Sequence, residues 1–125
     1  MAGDSVLFDP TMRGLAEALT LHQRRHEVLA SNLANVETPG YRARELDFAA
    51  ALRAAFDAGG RASPPGGRPP EVVTDPSAPP RADGNTVDVD LQMAKLSQNG
   101  GRYVALAKIL QQRIAQLRLA IDGTR

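Results

Sequence analysis

The pair His22 and His26 in His22-Gln23-Arg24-Arg25-His26 offers the chain's most suggestive chemistry. Residues at i and i+4 share one helix face, and this is the histidine spacing of the zinc metalloprotease helix. That helix carries its catalytic glutamate directly after the first histidine, where this chain has Gln23. Glu27 points elsewhere, and the sequence holds only 2 histidines and no cysteine, so no third ligand of those types completes a zinc site. Both histidines also fall on an apolar seam, where a polar residue can fix helix register. No Ser-His-Asp set can be built, and Gly59-Gly60 and Gly66-Gly67 lie among prolines and do not open a phosphate-binding helix. Arg42, Arg44, Arg53, Arg61 and Arg68 alternate with Glu37, Glu45, Asp47 and Asp57, a pattern that reads as solvated surface. Neither catalysis, cofactor, metal nor small-molecule substrate is expected.

The element holding the histidines is a helix. Asp9 followed by Pro10 supplies a cap acceptor and a first-turn proline whose missing N–H costs nothing there. Met12, Leu15, Leu19, His22, His26, Leu29, Leu33 and Val36 then alternate at spacings of three and four, which is a heptad seam. Asp47 can cap a short helix with Phe48, Leu52 and Phe56 on one side, ended by Gly59-Gly60. Residues 58–84 contain seven of the 9 prolines and are expected to form a flexible linker; a strand at Val72 and Val73 would need a partner. From about Thr86 to Asp122 a second helix is expected, with Asn85 as its N-cap. Its seam is Val89, Met93, Leu96, Gly100, Tyr103, Ala107, Leu110, Ile114, Leu117 and Ile121. Asn99-Gly100-Gly101 is its weak point, because each mid-helix glycine costs about 1 kcal/mol relative to alanine.

The resulting fold class is all-α: two long heptad-patterned helices in a coiled-coil-like hairpin, forming one structural domain. It divides into residues 1–57, the linker 58–84 and the helix 85–125. Aromatics are only 4% of the 125 residues and tryptophan is absent, which favours aliphatic helix seams over a rounded core. A net charge of +1 gives no electrostatic case for nucleic acid or an anionic membrane. The segment MAGDSVLFDP lacks the basic and apolar regions of a cleaved secretory signal. Two narrow stripes without a third long helix imply seams that finish folding against other subunits. Coupled folding and assembly is therefore expected, with incomplete amide-exchange protection in the dilute chain.

Thr38-Pro39-Gly40-Tyr41 places Pro and Gly at the middle of a type II turn, and Pro39 should stop the first helix near Asn35 or Val36. That leaves Asn32, Asn35 and Tyr41 without a role in an ordinary helix end. The run ASNLANVETPGYRARELDF (30–48) resembles the signature of the flagellar basal-body rod protein family, and NTVDVDLQMAKLSQNGGRY (85–103) is similar to the other end of its small members. The large inserted domains of hook and distal rod relatives are missing here. The resemblance implies a proximal-rod structural subunit that transmits torque for motility, located in the basal body across the periplasm. It also implies export without a cleaved signal. The partners implied are copies of itself, a FlgC-like short neighbour, the membrane-ring junction protein FliE and the flagellar type III export apparatus. Implied subunit-interface residues are Asn32, Asn35, Thr38, Pro39, Gly40, Tyr41, Leu15, Leu19, Leu29, Leu33, Phe48, Tyr103, Leu110, Ile114 and Leu117. The alternatives are the neighbouring short proximal rod protein FlgC and a generic coiled-coil adaptor; for an adaptor, substitution of Asn32, Asn35 and Tyr41 should be harmless.

Overall fold

The computed structural model describes residues 9–57 and 71–123. Helix α1 spans Pro10–Ala34, strand β1 Arg44–Leu46, helix α2 Phe48–Asp57, strand β2 Val72–Thr74 and helix α3 Val89–Asp122. The expected start of α1 is present: Asp9 Oδ1 accepts the Met12 N–H at 2.8 Å, with Pro10 in the first turn. The side chain of Phe56, expected on the apolar side of α2, lies outside the described residues.

Helices α1 and α3 run antiparallel against each other. Gln92 meets Asn32, Asn99 meets His22, and Arg113 meets Asp9 at 3.6 Å, so partners descend α1 as they ascend α3. Helix α3 continues through Gly100 and Gly101 without a break, carried by tertiary packing on both sides of them.

The all-α expectation needs two corrections. First, β1 and β2 form an antiparallel ribbon in register Arg44 with Thr74 and Leu46 with Val72. Asp47 N–H to Glu71 O at 2.8 Å and Asp75 N–H to Ala43 O at 2.9 Å extend the pairing at both ends. Val72 and Val73 thus have the partner a strand there requires, and the later part of the expected linker, 71–84, is held by hydrogen bonds. The earlier part, 58–70, lies outside the described residues. Second, α3 begins at Val89, not Thr86, with Asp88 as its cap: Asp88 Oδ1 accepts the Leu91 N–H at 3.1 Å. Asn85 lies three residues before that cap: its Nδ2 is committed to the end of α1, and its Oδ1 accepts the Val87 N–H ahead of the helix.

The seam itself is rotated by one residue on each helix. Met12, Leu15, His22 and Leu29 are buried as expected and Leu19 and Leu33 half-buried, but Ala18 and Asn32 are buried in the neighbouring row, with Arg25 half-buried between them, and His26 is exposed. On α3, Leu96, Gly100, Ala107, Leu110 and Leu117 are half-buried as expected, but Gln92 and Asn99 are buried and Leu106 and Arg113 half-buried beside them, while Met93, Tyr103 and Ile114 stay exposed. Polar side chains on these inner rows pair with one another, so apolar periodicity alone points to the neighbouring row. A second apolar contact flanks this seam, where buried Leu21 and Leu46 pack with Phe48, Ala51 and Leu52. Burying a leucine as completely as Leu29, at 0% exposure, stabilises by roughly 1.5–3 kcal/mol.

Candidate functional site

Asn32 is fully buried in the last turn of α1, and its amide is used at every position. Its Nδ2 donates to Arg44 O at 2.7 Å and to Gln92 Oε1 at 3.0 Å. Its Oδ1 accepts the Arg44 N–H at 2.9 Å and the Tyr41 hydroxyl at 3.1 Å. One side chain therefore joins α1, the turn, β1 and α3. Two donors and two acceptors are the full inventory of a carboxamide.

The turn is closed from the opposite end of the sequence. Helix α1 stops with carbonyls that have no partner along the chain. Asn35 Nδ2 returns to Ser31 O at 2.8 Å, and Asn35 Oδ1 accepts the Thr38 hydroxyl at 3.1 Å. Buried Asn85 then directs Nδ2 at Asn35 O, Val36 O and Thr38 O, at 3.0, 3.0 and 2.8 Å. Arg81 adds Nη2 to Val36 O and Nη1 to Val87 O. Gly40 has φ +73°, as a type II turn requires, and Tyr41 N–H closes that turn on Thr38 O at 3.2 Å. Gly84, at φ +83°, sits against it; a Cβ there would lie 3.5 Å from Gly40 Cα, and Gly40 N–H bonds Asp83 O. Thr86 completes the join by accepting the Ala43 N–H at 2.8 Å.

Deeper in the hairpin, Asn99 Nδ2 donates to His22 O at 2.8 Å, so its Oδ1 must accept the proton on His22 Nδ1, at 2.7 Å. The His22 ring also lies 4.4 Å from that of Phe48, and Arg25 sits over Phe48. His22 is thereby committed, while His26 is exposed on the outside. Beside this pair runs a chain of alternating charges. Arg25 grips Glu45 through two bonds of 2.9 and 3.1 Å, Lys95 reaches Glu45 at 3.4 Å and Asp75 at 2.5 Å, and Asp75 accepts the Ser77 N–H. Burial pushes both carboxyl groups upward, but their partners outweigh it. Arg25, the Leu46 N–H and Lys95 hold Glu45 below its ordinary value, and Lys95 with Ser77 does the same for Asp75. Among the described residues, no buried side-chain nitrogen or oxygen lacks a hydrogen-bond partner. No group of three metal-ligating side chains occurs among them, and no helix is long and apolar enough to cross a membrane.

The part of the chain that builds this join is also where the family signature lies. The family model described as "Flagella basal body rod protein" matches residues 12–42, which is α1 and the turn through Arg42. The flagellar basal body rod protein FlgB of Cereibacter sphaeroides is 36% identical over 86% of this chain and 91% of its own length. FlgB of Escherichia coli is 36% identical over 76% of the chain and 80% of its own. FlgB of Salmonella typhimurium is 31% identical over 92% and 95%. The chain belongs to the FlgB family. As a FlgB-family chain it is a structural component of the flagellar basal body, not an enzyme, and it assembles with other rod and basal-body components.

Within this FlgB-family fold the residues expected at an interface divide into three groups. Leu15, Leu29 and Asn32 are buried inside the chain. Leu19, Leu33, Asn35, Tyr41, Phe48, Leu110 and Leu117 are half-buried, and Thr38, Pro39, Gly40, Tyr103 and Ile114 are exposed. Asn32, Asn35, Thr38 and Tyr41 come together in the join; the apolar residues do not gather in one patch. The site residues that reading the sequence missed are Asn85, Gln92 and Asn99, with Arg25, Glu45, Asp75, Arg81 and Lys95. A signal for the first three was present, since amide side chains at 85, 92 and 99 recur every seven residues. The charged chain had no local signal, because its members meet only when the ribbon folds onto the hairpin.

Proposed function

We propose that this basal-body rod subunit docks on its neighbours through the apolar rows that hairpin closure leaves outside, together with the Thr38-Pro39-Gly40 turn. The observation that carries this reading is the displaced row of α3. Met93 is 55% exposed and Ile114 38% exposed, although both continue a heptad pattern. Gly100 and Ala107, half-buried between them in the same row, allow close approach of another helix, and a Cβ at Gly100 would meet nothing within 4 Å. The join at Asn32 and Asn85 then has the task of holding two long helices rigid, which suits a part that transmits torque. On this reading the neighbours are further copies of the chain, the short rod protein FlgC and the junction protein FliE. The chain crosses to the periplasmic rod through the flagellar type III export apparatus without a cleaved signal.

The test is electron microscopy of basal bodies, with swimming assays, in a strain lacking the chain. Met93→Glu with Ile114→Glu should leave the purified chain's stability within about 0.5 kcal/mol of wild type, as exposed positions do, yet fail to restore rods or motility. Full rescue by that variant would refute the docking face.

A further inference from the structure

Four asparagines lie within the described residues, and their successors are Leu33, Val36, Thr86 and Gly100. Only Asn99 precedes a glycine, the neighbour that least obstructs attack of the backbone on the side-chain amide. That dipeptide lies in mid-helix, where glycine is unfavourable. The fold does not require it, because a Cβ at Gly100 would meet nothing within 4 Å. We propose that Asn99 is a self-modification site, a deamidation centre whose reaction is gated by closure of α1 on α3.

The step needs only water. The Gly100 nitrogen loses its proton and bonds to Asn99 Cγ. The Cγ–Nδ2 bond breaks and Nδ2 leaves as ammonia, forming a cyclic imide. Water opens the imide to aspartate or isoaspartate, with no change in oxidation state. The closed hairpin blocks this in three ways. Helical backbone directs the Gly100 N–H along the helix ladder, away from its own neighbour's side chain. Both amide atoms of Asn99 are held by His22, at 2.7 and 2.8 Å. The residue is 1% exposed, so hydrolytic water has no access.

The consequence is one-way. Aspartate at 99 can still accept the His22 Nδ1 proton, but it has no N–H for His22 O and carries charge into a buried seam. Isoaspartate additionally inserts a methylene into the backbone of α3. A chain that stays open too long thus loses the pairing that closes it, and residue 99 records time spent unfolded. This inference is independent of the assembly reading above.

The measurement is peptide mass mapping with isoaspartate quantification on the full chain, incubated at mildly alkaline pH in native buffer and in urea. In urea, Asn99 should deamidate faster than Asn32, Asn35 or Asn85. In native buffer it should be slowed roughly tenfold or more, because only the opened fraction reacts. His22→Ala should raise the native rate, and Gly100→Ala should suppress the reaction in urea. Asn99→Asp should unfold at lower urea than wild type. Equal native and urea rates at Asn99 would overturn the gate. No preference for Asn99 over the other asparagines in urea would overturn the site. Wild-type stability of Asn99→Asp would overturn the consequence.

Discussion

Asn32 shows how a residue that is a poor helix former can be the centre of a fold. Replacing it with alanine leaves the Arg44 N–H and C=O, Gln92 Oε1 and the Tyr41 hydroxyl short of partners. Each buried orphan costs about 1–3 kcal/mol, so urea denaturation of Asn32→Ala should show a loss of at least about 2 kcal/mol. Tyr41→Phe removes only one bond and should cost about 0.5–1.5 kcal/mol in the same assay. The charged chain makes a prediction of opposite kind. Glu45 and Asp75 are held below their ordinary values of 4.5 and 3.8, so the stability they contribute is fully present above those values. It is lost as pH falls through the lower folded-state values. Thermal unfolding followed down from neutral pH should therefore stay flat until the acid range and then decline. Glu45→Gln with Asp75→Asn should flatten that decline.

At the scale of elements, the two ends of the hairpin exchange roles that local sequence would assign differently. Asn85 has the composition of an N-cap, with Asp88 three residues on, but its amide terminates α1 from fifty residues away, and Asp88 caps α3. The two roles separate in energy. Asp88→Ala loses one exposed cap bond and should cost about 1 kcal/mol. Asn85→Ala removes a fully buried amide that serves three carbonyls of the turn and should cost clearly more, with amide exchange rising at Val87, whose N–H it holds at 2.7 Å. If the two substitutions cost the same, the remote cap is not what ends α1.

Taken whole, the molecule is a long hairpin clasped at one end and open along its outer rows. Helix α3 runs on past Arg113, which already pairs with Asp9 at the start of α1. Among the described residues, Leu119 in that overhang is 73% exposed. Amide exchange of the dilute chain should show strong protection around Asn32, Gln92 and Asn99 and a steady fall beyond Arg113. Assembled rods should protect the overhang as well. Uniform protection of α3 in the dilute chain would contradict coupled folding and assembly.

The start of α1 at Asp9 and Pro10, its stop at Asn35, the type II turn and the extent of two long helices were all legible in the sequence. They depend on capping, proline geometry and glycine at positive φ, which act over a few residues. So was the family, through the motif running from Asn32 to Tyr41. The rotation of both seams was not legible, because a helix buries whichever row finds partners. Here, amides on one helix satisfied amides on the other better than the adjacent apolar row could. The ribbon was equally hidden, since Val72 and Val73 acquire strand structure only beside Arg44 and Leu46. The chain's own residues determined its elements and their ends. Which faces met, and which apolar rows remained outside, was decided by long-range hydrogen bonds that exist only once the hairpin has closed.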